Sequence, residues 1–368
     1  MAVSRSSKSG TASAVNSTVN SRRVQEPTIT LDPAQRSRLL VAKSRGLVAS
    51  HLDIDPNGSD LRASSFLGGA IVRVDRSVWV LLDENGVSGL GAALALVGSD
   101  EVASLNVITD GEKAAGILAR RSREFVDAPL VWKAEGRKLV IAEPAPMSVP
   151  SEPSAAEREL IGMLRNAGVD VTVEHGEIRG EIRGLEIARV VTRNDGTRLE
   201  VGVGRHDREA FTMVHGNLPT AAALESVIAS VESVRRVDAE SHPLRRLAPE
   251  GWLRWRLLNE PSLVGALELQ PAEPPVPRES VKDTGASIAV GVDANGGTVV
   301  VACSVGIDLD VVPTGADARV LHSPGARLVI VVPERDNHPV TRRLAGSLVR
   351  PAEVIGLAGD WRVGEVAQ

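Results

Sequence analysis

Acidic residues that fall just beyond short apolar runs are the first candidates for chemistry. Asp308 and Asp310 follow the run 298–303, and Asp83 and Asn85 follow the run 77–82, with Gly86, Gly89 and Gly91 behind them. Carboxylates at the carboxyl ends of strands can hold Mg²⁺ or a ribose hydroxyl. Glycines between a strand and a helix free backbone amides to cradle a phosphate. The spacing Gly86-x-x-Gly89-x-Gly91 matches neither the dinucleotide fingerprint nor a P-loop, which requires Gly-Lys-Ser/Thr. Such glycines also suit a tight turn, and such acids also cap helices. The expectation is a nucleotide or other phosphate-bearing ligand held by Asp83, Asn85, Gly86, Gly89, Asp308 and Asp310, with Mg²⁺ as the cofactor these acids would take.

A second set lies mid-chain: Glu186, Glu200 and His206, with Asp207 adjacent. Strands are expected at 169–173, 185–191 and 198–203, between helices near 155–167 and 219–234. That order of helix, three strands and helix resembles restriction-endonuclease-like nucleases. The resemblance implies metal-binding acids on the second and third strands, here Glu186 and Glu200. The sequence departs from that pattern at Glu200-Val201-Gly202, where the family has Glu-x-Lys. Matching apolar faces through a five-residue turn over 193–197 pairs Val190 with Glu200. Glu186 then lies roughly 13 Å away, too far for two carboxylates on one metal. The competing expectation is a charged hairpin face.

Other chemistry has less support. Ser88 lacks the Gly-x-Ser-x-Gly setting. The seven histidines form no zinc-binding pattern. Cys303 is the only cysteine, which excludes an intrachain disulfide, and its apolar run suits a buried thiol. Trp252 and Trp255 could stack a ligand or simply pack.

The elements that must position these residues follow from composition and spacing. At 368 residues, 43% hydrophobic and 24% charged, the chain has room for two or three domains. Aromatics are 2%, so Val, Leu, Ile and Ala must fill the cores. A net charge of −5 gives no global field for nucleic acid, which is not expected as a partner, although a local basic patch remains open. No apolar run approaches the ~20 residues needed to span a bilayer. With no apolar leader at the N-terminus, the expectation is a cytoplasmic protein with no membrane partner.

A strand-helix-strand-helix-strand pattern occurs twice. Runs 77–82, 104–109 and 129–132 in one copy match 298–303, 327–332 and 352–356 in the other at nearly equal spacing. An Arg-Arg pair precedes the last run each time, Arg120-Arg121 and Arg342-Arg343. Alternation of strands with helix-length segments implies crossovers and parallel sheets. The expected fold is α/β: two Rossmann-like βαβαβ units, an internal repeat, flanking an α+β insert. The expected layout is a disordered tail at 1–30 and an N-terminal unit at 31–142. A Pro-rich linker at 143–153 precedes a middle domain at 154–269, and a second linker at 270–285 precedes the C-terminal unit at 286–368. Helices are expected from Pro33, with Leu39, Leu40, Ala42, Leu47 and Val48 inward, and from a capping box at Ser154 and Glu157.

The stretches 199–211, 242–247 and 303–310 resemble a family of uncharacterised proteins of high-GC actinobacteria over about residues 35–365. The resemblance implies no activity. It marks the polar residues of these stretches as targets for substitution. Three functions are therefore expected as alternatives: phosphate-ligand binding in a regulatory or scaffolding role, a divergent metal-dependent nuclease, or a non-catalytic assembly protein.

Overall fold

The computed structural model describes residues 32–83, 87–97, 102–148, 151–204, 208, 220–277 and 285–362. The expected tail, Asn85, Gly86, His206 and Asp207 lie outside the described residues. The chain is a mixed α/β protein with three sheets.

Helix α1 (Pro33–Leu52) starts with proline in its first turn, where the missing N–H costs nothing. Its inward stripe is Ser44, Leu47 and Val48, with Leu40 half-buried. Leu39 is 56% exposed and Ala42 is exposed. Leu40, Leu47 and Val48 thus face the sheet as expected, with Ser44 and Ala49 beside them, while Leu39 and Ala42 fall outside that stripe. Strands β1 (Leu61–Phe66), β2 (Gly69–Val74) and β3 (Ser77–Leu82) form an antiparallel meander. Helix α2 (Leu90–Leu96) leads to β4 (Ser104–Thr109), and α3 (Glu112–Ser122) to β5 (Leu130–Glu135), both by parallel crossovers. Strand β6 (Lys138–Ile141) returns antiparallel at the edge.

The middle module opens with α4 (Ala155–Glu159) and α5 (Ile161–Asn166). The Ser154–Glu157 capping box forms in both directions. Four strands follow rather than the expected three: β7 (Asp170–Glu174), β8 (Glu177–Ile182), β9 (Leu185–Arg193) and β10 (Gly196–Val201). All pairings are antiparallel, and α6 (Thr220–Val234) packs on one face.

Helix α7 (Pro249–Asn259) then leads into the last sheet. Its strands are β11 (Ala266–Ala272), β12 (Ser287–Asp293) and β13 (Thr298–Cys303), then β14 (Arg327–Pro333) and β15 (Glu353–Leu357). Helices α8 (Val311–His322) and α9 (Pro339–Gly346) make the crossovers. Residues 266–272, which the sequence suggests are a domain end and linker, pair with β12 as an edge strand. Pro271 is tolerated there because an edge strand leaves one row of amides unpaired.

The two terminal sheets share one plan: two antiparallel pairings, then two parallel ones, in strict sequence order. Strand order never reverses, so neither sheet has the switch point at which doubly wound sheets open a ligand crevice. The helix preceding each unit covers the outer face of its sheet. Helix α1 packs on Trp79, Leu81 and Ile108, and α7 on Val299, Val301, Cys303, Val329 and Val331. Alternate residues, Val78, Val80 and Val107 in one unit and Val300, Ala302 and Ile330 in the other, join a single core around α2, α3, α8 and α9. These strands are buried on both faces, which is why they read as unbroken Val/Ile/Leu runs. The units also meet through a backbone bridge between Phe125 and Leu348, equivalent positions just after α3 and α9. Val126 N–H donates to the Ser347 carbonyl (3.0 Å), and Val349 N–H to the Glu124 carbonyl (2.8 Å).

Candidate functional site

Asp310 stands at the N-cap of α8 but does not cap that helix. Its carboxylate crosses to the other unit and accepts the amides of Gly89 (2.6 Å) and Gly91 (3.0 Å) at the start of α2. The positive end of a helix favours an anion here, and the chain supplies its own. Gly89 has φ 105, a conformation that L side chains rarely adopt. A Cβ on Gly91 would lie 2.1 Å from the Leu309 carbonyl oxygen. The glycines thus serve close approach between units, and the Gly89 amide expected to cradle phosphate is already bonded to Asp310, as is that of Gly91.

Asp308 sits beside it, accepting the Asp310 amide (2.9 Å) and the Ser304 hydroxyl (3.4 Å). Burial, and then the Asp310 charge, push the Asp308 carboxyl up to about 6. An acid whose folded pKa is raised stabilises the fold below its unfolded pKa, and that contribution is lost as pH rises through the folded value. Asp308→Asn should therefore stabilise the protein at pH 8 by ~1–3 kcal/mol and match wild type below pH 4. Denaturant unfolding at both pH values checks this; an equal difference at both would remove Asp308 as the cause.

Among the described residues, two further acids at strand ends are engaged elsewhere. Asp83 forms a two-pronged pair with Arg36 of α1, both contacts at 2.7 Å, and Asp110 pairs with Lys43 (2.5 Å). The structure joins Gly89, Asp308 and Asp310 and ties Asp83 to the outer helix.

In the middle module the register corrects the expected one. A two-residue turn, Asn194-Asp195, is followed by Gly196 at φ 126. Glu200 therefore faces Arg189, and Leu199 faces Val190. Glu186 accepts from Arg189 (3.0 and 2.8 Å) and Arg208 (2.5 Å). Glu200 pairs with Arg193 (2.7 Å) and, more loosely, Arg198 (3.4 Å). Each expected metal ligand is thus neutralised by arginine. Among the described residues, no group of three or more His, Cys, Asp or Glu is placed to hold a metal ion.

One charged cluster belongs to no motif in the sequence. Arg254 of α7, fully buried, donates to Glu174 (3.1 Å) and to both oxygens of Glu181 (3.0 and 2.9 Å). Arg179 also binds Glu174 (2.7 Å), and Thr172 binds Glu181 (3.1 Å). Its one sequence signal is β8 itself, in which Arg179 and Glu181 alternate with Ile178, Gly180 and Ile182. A cavity of about 410 Å³ lies beyond the carboxyl ends of β14 and β15, lined by Glu334, Arg335, Asp360, Trp361 and Arg362.

No family model, no curated protein and no solved structure matches this chain. Among the described residues no helix is long and apolar enough to cross a membrane.

Proposed function

We propose that the chain is a non-catalytic binding and assembly protein. In this reading two copies of one α/β unit clasp each other, and the inserted module is fastened to the second copy. The observation that carries it is the engagement of the carboxylates. Asp310 holds the amides of the opposite unit, and Asp317 of α8 holds Arg120 and Arg121 of α3. Glu186 and Glu200 are each bound by arginines. The shared strand plan supports the duplication, as do the paired arginines. Arg120 and Arg121 reach α8, while Arg343 reaches the Ala95 carbonyl of α2 (3.2 Å). Val126 (68% exposed) and Val349 (59%) flank the bridge between units.

The test is turnover. Purified protein with Mg²⁺ or Mn²⁺ should leave DNA, RNA and nucleoside triphosphates intact, with no difference for Glu200→Ala or Asp308→Ala. Metal-dependent cleavage that disappears in either variant would overturn the reading. A second reading, binding of a phosphate-bearing ligand, is favoured by the arginine-lined cavities near the carboxyl end of β15.

A further inference from the structure

We propose that Arg183, Arg236 and Arg362, set around the indole of Trp255, form a binding site for a small, multiply charged anion of the phosphate class. The site is separate from Asp83, Asp308 and Asp310, and it does not depend on the assembly reading. It lies where three segments meet: the turn between β8 and β9, the chain just after α6, and the residues after β15. These line an open pocket of about 220 Å³, together with Val237 and Asp238.

Three observations point to an anion. First, among the described residues the cations of this site outnumber the carboxylates paired with them. Arg183 lies over the Trp255 ring, 5.4 Å from its centroid, and donates to the Arg235 carbonyl. Among the described residues it pairs with no carboxylate. Arg362 meets Asp360 only at 3.6 Å and stacks 4.3 Å from the centroid of Trp361. Arg236 has a full partner in Asp238 (3.1 and 2.6 Å).

Second, a further arginine sits behind the cavity, and among the described residues no carboxylate bonds to it. Arg235 is fully buried and donates to the carbonyls of Leu244 (3.0 Å), Leu247 (2.8 Å) and Arg183 (2.8 Å), with its guanidinium 4.3 Å from the Trp252 centroid. Burial, helped by the charges of Arg183, Arg362 and Arg245 and opposed by Glu181, brings its pKa down to about 9. A guanidinium loses basicity in this way where positive charge is under-compensated.

Third, Arg183 occupies a costly backbone position. It has φ 48 and Gly184 has φ 73, so the pair turns the β8–β9 hairpin through two left-handed residues. Such turns favour Asn-Gly, and a larger L residue there costs about 1–2 kcal/mol. An arginine at this position points to a use for its guanidinium.

Guanidinium forks match phosphate oxygens, and charge-assisted bonds of this kind are roughly twice as strong as neutral ones. The cavity's volume suits phosphate or pyrophosphate. Arg362 also lines the 410 Å³ cavity, which gives room for the remainder of an organic phosphate.

The test titrates the full chain with inorganic phosphate and with pyrophosphate at fixed ionic strength, read by calorimetry and tryptophan fluorescence. Chloride at matched ionic strength controls for screening. Wild type should bind saturably, pyrophosphate more tightly than phosphate. Arg183→Asn keeps a residue suited to the turn, so it should fold at least as stably while losing at least about tenfold in pyrophosphate affinity. Arg362→Gln should lose a similar factor, and Arg38→Gln, on distant α1, should lose none. The proposal is overturned if wild type shows no saturable binding beyond the chloride control. It is equally overturned if Arg183→Asn and Arg362→Gln both bind pyrophosphate as wild type does.

Discussion

Arg254→Met should destabilise the protein by ~3–5 kcal/mol, the cost of removing one partner from a dry ion cluster. The side chain is about 1% exposed, and Glu174 is equally buried. Without the guanidinium, Glu181 keeps the Thr172 hydroxyl, and Glu174 keeps Arg179. The position couples two parts of the chain. Arg254 belongs to α7, whose other face packs on β13 and β14, whereas Glu174 and Glu181 lie on β7 and β8. Loss of the cation should therefore loosen the middle module from the C-terminal unit before either core melts. Denaturant unfolding gives the magnitude, and amide exchange in β7 and β8 gives the location. A double cycle with Glu181→Gln should show coupling above ~1 kcal/mol, because neutralising Glu181 removes part of the unpaired charge. A cost below about 1 kcal/mol, the range of exposed pairs, would mean that water reaches these carboxylates.

That cluster also explains why the middle module resists reading from sequence. A strand with acids and arginines at alternate positions suggests one solvated face. Here that face is buried against α7, and the charges are satisfied by one another. Strand β8 is hidden from the sequence for this reason, and the nuclease-like order of three strands gives way to a meander of four. The register differs by one residue because Gly196, at φ 126, permits a two-residue turn where apolar matching suggests a longer one.

The terminal units are more legible. Strands β3, β13 and β14 are apolar on both faces, and a six-residue Val/Ile/Leu run bounded by turn residues is the pattern of a strand covered on both sides. The hairpin β1–β2 is harder to see, since Leu61-Arg-Ala-Ser-Ser-Phe66 is an edge strand with most side chains at least partly in water. The strand-end acids are identifiable as residues but not as roles. Asp310 meets Gly89 across 221 positions. No local pattern distinguishes a carboxylate awaiting a ligand from one that fills a helix terminus in the opposite unit.

A second carboxylate of α8, Asp317, also crosses to the opposite unit. Its carboxylate is about 1% exposed and binds Arg120 twice (2.7 and 2.9 Å) and Arg121 once (3.1 Å). Arg121 is itself buried and also donates to the Val87 carbonyl (2.8 Å). Arg120 directs its remaining donors to the carbonyls of Ala145 (3.1 Å) and Pro146 (2.9 Å), which pins the Pro-rich segment to α3. Asp317→Asn is nearly isosteric but leaves two neighbouring guanidinium charges without a counter-ion in a low-dielectric contact. The expected cost is ~3–5 kcal/mol. It should fall on the contact between α3 and α8 and not on either sheet. In wild type the two terminal units should unfold together, because they share one core. In Asp317→Asn the first transition should separate the units, and the slope with denaturant should fall as the unfolding ceases to be two-state. Pairing Asp317→Asn with Arg121→Met, which removes one of the two stranded charges, should recover part of the loss. A single transition with an unchanged midpoint in Asp317→Asn would show that apolar packing alone holds the units together and that the ion cluster contributes only orientation.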